Sequence, residues 1–323
     1  MLRRLFGAVT LMAVAGLALT VPALAGLGHP TDGQMGLQLP ATSIMSEIHT
    51  LYDAVNMTII AITAFVLLLM LYVMFRFSEK NNPTPSRTTH NTFLEVAWTI
   101  IPILILVGIS IPSFKLLYEQ YRFPKPDITI KATANAWFWE HEYMDQKITL
   151  TSNMLRDEDV LKAKMGDKPY AEKYGKLEGI ALHKALLADA APVWAERKDL
   201  RQLTVDQEIA LPVGKVVHML VTSNDVIHSW TIPSFGAKMQ AVPGRTSAVW
   251  FQPDKVGVFH GQCSVLCGKN HSGMPIVIRV VEPAVYDAWM AALVAKDKKK
   301  AAEILKADAA HQTDNKSVAQ VAN

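Results

Sequence analysis

Cysteine is scarce in this sequence and net charge is close to zero. The 323 residues include 2 cysteines, so the chain can form at most one internal disulfide. The formal net charge of +3 is too small to indicate nucleic acid as a partner. No tandem repeat is present, and 50% of the residues are hydrophobic and concentrated in a few segments. The length allows more than one domain.

Both cysteines lie in one short segment, residues 261–274. The spacing C-x3-C-x3-H-x2-M allows one loop to bring Cys263, Cys267, His271 and Met274 to a single point. These are the soft and borderline ligands that suit copper, whereas magnesium and calcium prefer oxygen ligands. A disulfide is the simplest alternative for two cysteines in an exported protein. A disulfide needs neither the histidine nor the methionine, so the combined pattern favours copper.

A second segment, Asp-Val-Ile-His-Ser-Trp at residues 225–230, follows an apolar, strand-like run. Together with the loop it resembles the CuA di-copper site of subunit II of cytochrome c oxidases. The resemblance implies that two bridging thiolates, two imidazoles, a thioether and a backbone carbonyl hold two coppers. The implied ligands are Cys263 and Cys267 as bridges, His228 and Met274 on one copper, and His271 and the Val265 carbonyl on the other.

Val265 departs from the family pattern, which usually has glutamate at this position of C-S-E-x-C. A carbonyl ligand does not depend on the side chain, so we expect the copper site to persist. In the family the glutamate links to a magnesium ion at the boundary with subunit I. Valine offers no oxygen ligand, which counts against magnesium binding there.

The N-terminal residues 1–25 predict a signal peptide. Arg3 and Arg4 precede an apolar stretch, and Ala-Leu-Ala at 23–25 is a small-residue cleavage site. An uncleaved anchor is the alternative, and the short apolar stretch argues against it. Export of the mature N-terminus follows from this prediction.

Residues 26–122 predict a lead-in followed by a hairpin of two transmembrane helices, with spans at about 55–76 and 95–118. A buried helix of a soluble protein is the alternative for each span. The connecting loop carries Arg76, Lys80 and Arg87, which places it on the cytoplasmic side and both chain ends outside. Two spans are too few for a transporter, so a membrane partner is implied.

Glu95 lies at the start of the second predicted span. The segment around it, residues 90–99, also resembles the subunit II family, where this glutamate stands at the mouth of a proton pathway into the catalytic subunit. An ionisable residue at a membrane edge is a functional candidate. A solvated glutamate that is favoured by the helix dipole is an equally simple interpretation.

Residues 123–290 predict an exported β domain. Residues 127–134 alternate like a strand, and other short β-rich stretches such as 275–281 are separated by Gly and Pro turns. This pattern is typical of an antiparallel sandwich or barrel. The resemblance implies an all-β, cupredoxin-like Greek-key barrel. Residues 156–203 are charged and partly helical in pattern, and indicate an insertion or an enlarged loop. Residues 291–323 predict a polar, mobile tail.

An aromatic cluster occupies residues 137–143. Composition alone is equally consistent with a core strand. The resemblance implies that Trp137 receives the electron from cytochrome c, whose lysine-rich face would be attracted by nearby carboxylates. Glu142 and Asp225 match docking positions of the family, and Glu140 adds a further carboxylate.

The resemblance therefore implies a subunit II that takes electrons from cytochrome c and passes them to subunit I, where oxygen is reduced with coupled proton pumping. It implies a bacterial inner membrane, two copper ions, subunits I and III as partners, and no general base or nucleophile in this chain. Proteins of other functional classes would have different sequence features. A quinol oxidase subunit would lack the copper ligands. A copper-delivery thiol protein normally has one anchor and a distant histidine. A nitrous oxide reductase lacks the hairpin, and a purely structural domain would form the disulfide.

Overall fold

The computed structural model describes residues 26–308, so the predicted signal peptide at 1–25 lies outside the described residues. The chain divides into a helical unit, Ser43–Lys125, and a mainly β unit formed by the segments on either side of it. This arrangement agrees with the fold class expected from the sequence, a helical hairpin plus a β domain.

The helical unit contains α1, Ser43–Arg76, and α2, Thr92–Tyr121. Both helices extend beyond the predicted spans, and both are long and apolar enough to cross a membrane. Their most apolar windows are not buried inside the protein; Phe65 and Leu68, for example, are each 65% exposed. A core helix of a soluble protein would bury these side chains, so the exposure supports the membrane interpretation.

The β unit has ten named strands in three sheets within the described residues. The strands are β1 Ile128–Asn135, β2 Phe138–Tyr143, β3 Ile148–Ser152, β4 Ile209–Pro212, β5 Val217–Ser223, β6 His228–Ile232, β7 Ala237–Ala241, β8 Ser247–Phe251, β9 Gly257–Gln262 and β10 Pro275–Val281. One sheet has the order β3-β2-β1-β5-β8, the second β4-β10-β9, and β6 pairs with β7. The β6–β7 hairpin joins the two larger sheets, because β6 lies beside β9 and β7 beside β8.

Two strand pairs are parallel, β1 with β5 and β4 with β10, whereas the sequence predicted an antiparallel domain. The partners in each pair are far apart in the chain. Parallel neighbours need a long crossover connection, and the intervening elements provide it. Aromatic side chains fill the core between the sheets; the Trp230 and Phe251 rings, for instance, stack with centroids 5.8 Å apart.

The predicted insertion at 156–203 is a compact helical element. It contains α3 Asp157–Met165, α4 Asp167–Tyr174 and α5 Gly179–Arg197. Its own apolar cluster consists of Val160, Leu161, Tyr174, Leu186, Ala190, Val193 and Trp194. The chain enters and leaves at neighbouring points, because the N–H groups of Leu155 and Asp206 donate to the carbonyls of Thr204 and Asn153, each at 2.9 Å. Residues 156–203 therefore form a helical element with its own core.

The C-terminal region differs from the predicted polar tail at 291–323. Helix α6, Pro283–Val294, is followed by helical residues at 298–308, and residues 309–323 lie outside the described part of the chain. Ala301 and Leu305 are 2% and 7% exposed and belong to the main core. Residues four apart share one helix face. The sequence analysis missed this short apolar face because the two residues stand among lysines.

Candidate metal centre

The predicted ligand loop connects the antiparallel neighbours β9 and β10. The Cys263 N–H donates to the Met274 carbonyl at 3.1 Å, which closes the base of the loop. Gly261, just before the loop, lies against β6: a Cβ at this position would be 1.8 Å from the carbonyl oxygen of Thr231. Glycine therefore permits a close approach of β9 to β6. This approach brings the loop beside His228, the first residue of β6.

Cys263 and Cys267 are both buried and both free of disulfide bonds. Their Sγ atoms lie 3.7 Å apart, well beyond the roughly 2.05 Å of an S–S bond. This geometry does not support the disulfide alternative. Two free thiols at this separation can instead act together as ligands of a metal centre.

Each thiol has an imidazole nitrogen next to it. His228 Nδ1 lies 3.9 Å from Cys263 Sγ, and His271 Nδ1 lies 3.5 Å from Cys267 Sγ. The ligand atoms of His228, Cys263 and Cys267 all lie within 4.8 Å of one another. The carbonyl oxygen of Val265 is 3.3 Å from Cys263 Sγ. Strand β6 and the loop are far apart in the sequence, yet together they supply one cluster of thiol, imidazole and carbonyl groups.

Met274 ends the ligand loop and is 1% exposed. It thus offers a thioether in the buried interior at the base of the same loop. The combined donor set, with two thiols, two imidazoles and a thioether, is the soft and borderline set that copper prefers over magnesium or calcium. The residues present fit copper.

Asp225 orients the imidazole of His228. Its Oδ1 lies 2.8 Å from His228 Nε2, and because a carboxylate oxygen accepts, Nε2–H donates and Nδ1 is left to face the thiols. Burial raises the pKa of Asp225, but hydrogen bonds from His228, the Val226 N–H and the Ser223 hydroxyl outweigh burial. The pKa of this carboxyl therefore lies below its ordinary value, and the group remains an anionic acceptor.

The thiol of Cys267 resists ionisation when no metal compensates its charge. Burial, followed by the neighbouring Cys263, raises the pKa of Cys267 to about 12. Because thiolates are the form that binds metals, metal binding at this pair must release protons.

Comparisons with known proteins agree with this geometry. The family profile described as "Cytochrome C oxidase subunit II, transmembrane domain" matches residues 30–116, and "Cytochrome C oxidase subunit II, periplasmic domain" matches residues 165–281. Cytochrome c oxidase subunit 2 of Cereibacter sphaeroides is 40% identical over 287 residues, which cover 88% of this chain and 88% of that protein. The chain belongs to the cytochrome c oxidase subunit II family.

Another bacterial protein and one solved structure are also similar to this chain. A probable cytochrome c oxidase subunit 2 of Rickettsia bellii is 38% identical over 264 residues, covering 81% of this chain and 85% of that protein. The crystal structure of the periplasmic domain of subunit II of cytochrome oxidase from Bradyrhizobium japonicum is 37% identical, covers 55% of this chain and 99% of that one, and has a TM-score of 0.39.

Family membership fixes the broad role of each unit. The hairpin corresponds to a transmembrane domain and the β unit largely to a periplasmic domain, so the chain is a membrane protein with a periplasmic domain. As a cytochrome c oxidase subunit II, it is a component of an oxidoreductase. The family binds CuA copper, and the cluster of His228, Cys263 and Cys267 is the candidate metal group in this chain.

Trp137 connects the aromatic segment directly to the ligand loop. Its Nε1–H donates to the carbonyl of Cys267 at 3.1 Å. Gly268 permits this packing, because it has φ +117° and a Cβ there would be 3.1 Å from the indole Cζ2. Trp137 is half-buried. A single hydrogen bond therefore links a partly solvent-accessible indole to a thiol-bearing residue of the cluster.

The three carboxylates predicted for docking occupy different environments. Glu140 and Glu142 alternate with the buried residues of β2 and are partly exposed on its outer face. Glu140 accepts a hydrogen bond from Asn135 Nδ2 at 3.2 Å. Asp225 is instead hydrogen-bonded to His228, although a third of its side chain, 32%, remains exposed. Its contact with a predicted ligand was not expected from the sequence.

Glu95 lies in the first turn of α2 in the helical unit. The helix begins after Asn91, whose side-chain oxygen accepts the Leu94 N–H at 3.2 Å. The position suits a carboxylate, because the N-terminal end of a helix carries partial positive charge. This local stabilisation is compatible with both interpretations of Glu95.

The buried face of β2 supports the site in a way that the sequence did not reveal. The Trp139 ring packs edge-on against His228 with centroids 6.2 Å apart. His141 is fully buried, and burial lowers its pKa to about 3, so it is neutral. Its Nε2 accepts from Trp230 Nε1 at 3.3 Å. The alternation of residues 139, 141 and 143 along one strand face was the available signal.

Proposed function

We propose that this subunit II accepts electrons from cytochrome c at a binuclear CuA centre and passes them to the haem–copper centres of subunit I, where oxygen is reduced with coupled proton pumping. The observation that carries the proposal is the convergence of two buried free thiols, 3.7 Å apart, with an imidazole Nδ1 beside each. A structural domain does not need this donor set.

In this proposal the six groups have separate tasks. Cys263 and Cys267 would hold both coppers as thiolates, and the remaining groups would complete the coordination. The remaining ligands are His228 and Met274 for one copper, and His271 and the Val265 carbonyl for the other. Copper, when bound, supplies a one-electron redox couple. The closed loop and the Asp225 hydrogen bond hold the ligands in place, which limits rearrangement when the charge changes.

Trp137 is the proposed point at which the electron arrives. Its partly exposed indole and its hydrogen bond to the Cys267 carbonyl provide a short connection from the surface to the cluster. Glu142 and Glu140, with the exposed part of Asp225, would attract a lysine-rich cytochrome c. Replacement of Trp137 by phenylalanine removes the N–H that donates to the Cys267 carbonyl. Because the geometry between reacting groups strongly affects rates, copper reduction by cytochrome c should slow by roughly tenfold or more while copper content is unchanged. An unaltered rate would contradict this role.

Glu95 is the proposed mouth of a proton pathway into subunit I. Its place at the N-terminal edge of a candidate span is consistent with a group that exchanges protons with water. In the assembled oxidase, Glu95→Gln should lower steady-state turnover while electron transfer from cytochrome c to copper keeps its native rate. Native turnover in this variant would support the solvated helix-start interpretation.

The proposed location is the inner membrane of a bacterium, with the β unit in the periplasm and subunits I and III as membrane partners. Isolation of the complex through an affinity tag on this chain tests these assignments. Co-purification of a haem-containing subunit I is expected, and a tagged chain that is isolated without it would contradict the proposal.

Copper stoichiometry and electron paramagnetic resonance of the full-length, copper-loaded chain in detergent test the central claim. Two coppers per chain that share one unpaired electron are expected. Cys267→Ser should abolish this signal, whereas Ser272→Ala, an exposed change in the same loop, should preserve it. One localised copper would favour copper delivery, and a Cys263–Cys267 disulfide without copper would leave a structural role.

A further inference from the structure

Lys269 lies over the face of Trp137. Its Nζ is 5.7 Å from the centre of the indole ring, within the range of a cation–π contact. The side chain is exposed. Within residues 26–308, no carboxylate forms an ion pair with it. In the described part of the chain, a positive charge without an ion-pair partner is therefore present at the residue proposed to accept the electron.

The loop fixes the position of this charge. Gly268 packs directly against the Trp137 ring, and the Cys267 carbonyl accepts its Nε1–H. Lys269 is the next residue in the chain, so its backbone is held beside the indole even though its side chain is flexible. The charge consequently belongs to the surface that any protein must contact to approach Trp137.

A groove that Trp137 also lines has a different charge pattern. Its volume is about 410 Å³, and its other walls are Gly273 and residues close to the two ends of the helical insertion. The charged residues of this groove are Arg156, Glu158, Asp159 and Asp206. The surroundings of Trp137 are thus of mixed sign, with a cation on the ring itself, rather than uniformly acidic.

From this geometry we infer that Lys269 is a specificity-determining residue for the electron donor. It opposes the attraction that the nearby carboxylates exert on a lysine-rich donor. It therefore favours a donor protein that presents a neutral or acidic group opposite Trp137, even where the rest of the contact face is lysine-rich, and it slows association of a donor whose contact face is continuously lysine-rich. Charges at an interface act mainly on encounter rate and partner choice, and like charges placed opposite each other disfavour a partner. The inference rests on the proposed function, because it assumes that the donor docks over Trp137.

Stopped-flow reduction of the copper centre in the assembled oxidase tests this inference. The donors are two soluble c-type cytochromes, one with a lysine-rich and one with an acidic contact face, each at low and high salt. The variants are Lys269→Glu and Lys269→Met. The control is Lys147→Glu, which reverses an exposed charge in the turn at the other end of β2. Copper content and the spectrum of the centre are measured first for every variant.

Lys269→Glu should raise the second-order rate constant for the lysine-rich donor roughly tenfold at low salt and lower that of the acidic donor. Lys269→Met should fall between Lys269→Glu and the native protein, and high salt should reduce the differences. Lys147→Glu should stay within about twofold of the native rates, because its charge lies roughly 20 Å along the strand.

Native rates for both donors in Lys269→Glu would overturn the inference while leaving the proposed function intact. The same would follow if Lys147→Glu changed the rates as much as Lys269→Glu, since net charge rather than position would then be responsible. A native centre that neither cytochrome reduces would overturn the proposed function and, with it, the role of Lys269.

Discussion

A substitution of the buried Met274 tests its assignment as a copper ligand. Leucine is close to methionine in volume, so Met274→Leu should cost less than about 1.5 kcal/mol of stability. It removes the thioether, so the reduction potential and the electron paramagnetic resonance spectrum should both change. Met219→Leu is the matched control, because Met219 is also fully buried, in β5 of the same core. An identical spectrum and potential in Met274→Leu and native protein would contradict the ligand assignment.

Asp225 has two possible roles that one substitution separates. Asp225→Asn retains the size of the side chain but weakens the hydrogen bond to His228 Nε2. Loss of such a supporting carboxylate typically weakens metal affinity about 10- to 100-fold, and we expect this range in competition titrations with a copper chelator. Glu142→Gln, which removes a partly exposed carboxylate of β2, should leave copper affinity unchanged. Equal copper affinity in both variants would show that Asp225 does not support the copper site and would leave only its docking role.

At the scale of one element, Asp157 holds the helical insertion together. Arg201 Nε and Nη2 each donate to its carboxylate at 2.8 Å, and Trp194 Nε1 donates at 2.9 Å. The hydrogen bond from Arg201 lowers the pKa of Asp157, burial opposes this, and the pKa lies below its ordinary value of 3.8. The ion pair therefore stabilises the element when Asp157 is ionised.

Asp157→Asn should destabilise α3–α5 by about 1–2 kcal/mol at pH 7, less than a fully buried pair because Arg201 is partly solvent-exposed. A carboxyl with a lowered folded-state pKa stabilises fully above its unfolded pKa, and this contribution is lost as the pH falls through the folded value. The difference between variant and native protein should therefore persist from pH 7 to about 5 and shrink below about pH 4. Hydrogen exchange of residues 157–197 in the full chain measures it.

Glu196→Gln is the control for this prediction. Glu196 pairs with Lys164 on the exposed surface of the same element, and exposed pairs contribute little. Hydrogen exchange that is equally fast in Asp157→Asn and Glu196→Gln, or a difference that is independent of pH, would show that the Asp157 ion pair does not stabilise the insertion.

At the scale of the whole complex, the side chain of Val265 tests whether a magnesium site forms at the boundary with subunit I, because only its carbonyl is proposed as a copper ligand. Its carbonyl is beside Cys263 Sγ, but its side chain offers no oxygen to a hard cation. In the assembled oxidase, Val265→Glu should increase binding of manganese, used as a paramagnetic substitute for magnesium, while copper content stays at the native value. Val265→Leu is the size-matched control without a carboxylate. Equal manganese binding in Val265→Glu and native oxidase would show that other groups form the magnesium site.

The sequence alone was sufficient to predict those features that depend on residues close together in the chain. The spacing in residues 263–274 indicated the thiol, imidazole and thioether set, because one loop carries four of the groups. Long apolar runs indicated α1 and α2, and the alternation at 127–134 coincides with β1. Each of these signals depends on residues that are near one another in the chain, so periodicity or spacing is enough to reveal it.

The tertiary structure decided what depends on residues that are distant in the chain. It paired β1 with β5 and β4 with β10 in parallel, gave the insertion its own core, and buried Ala301 and Leu305 in the main core. It also placed Lys269 over Trp137, 132 residues away by number. The composition and spacing of the sequence determined which chemical groups are available. Which of them face each other was decided by strand pairing and packing, because local patterns do not specify contacts between distant segments.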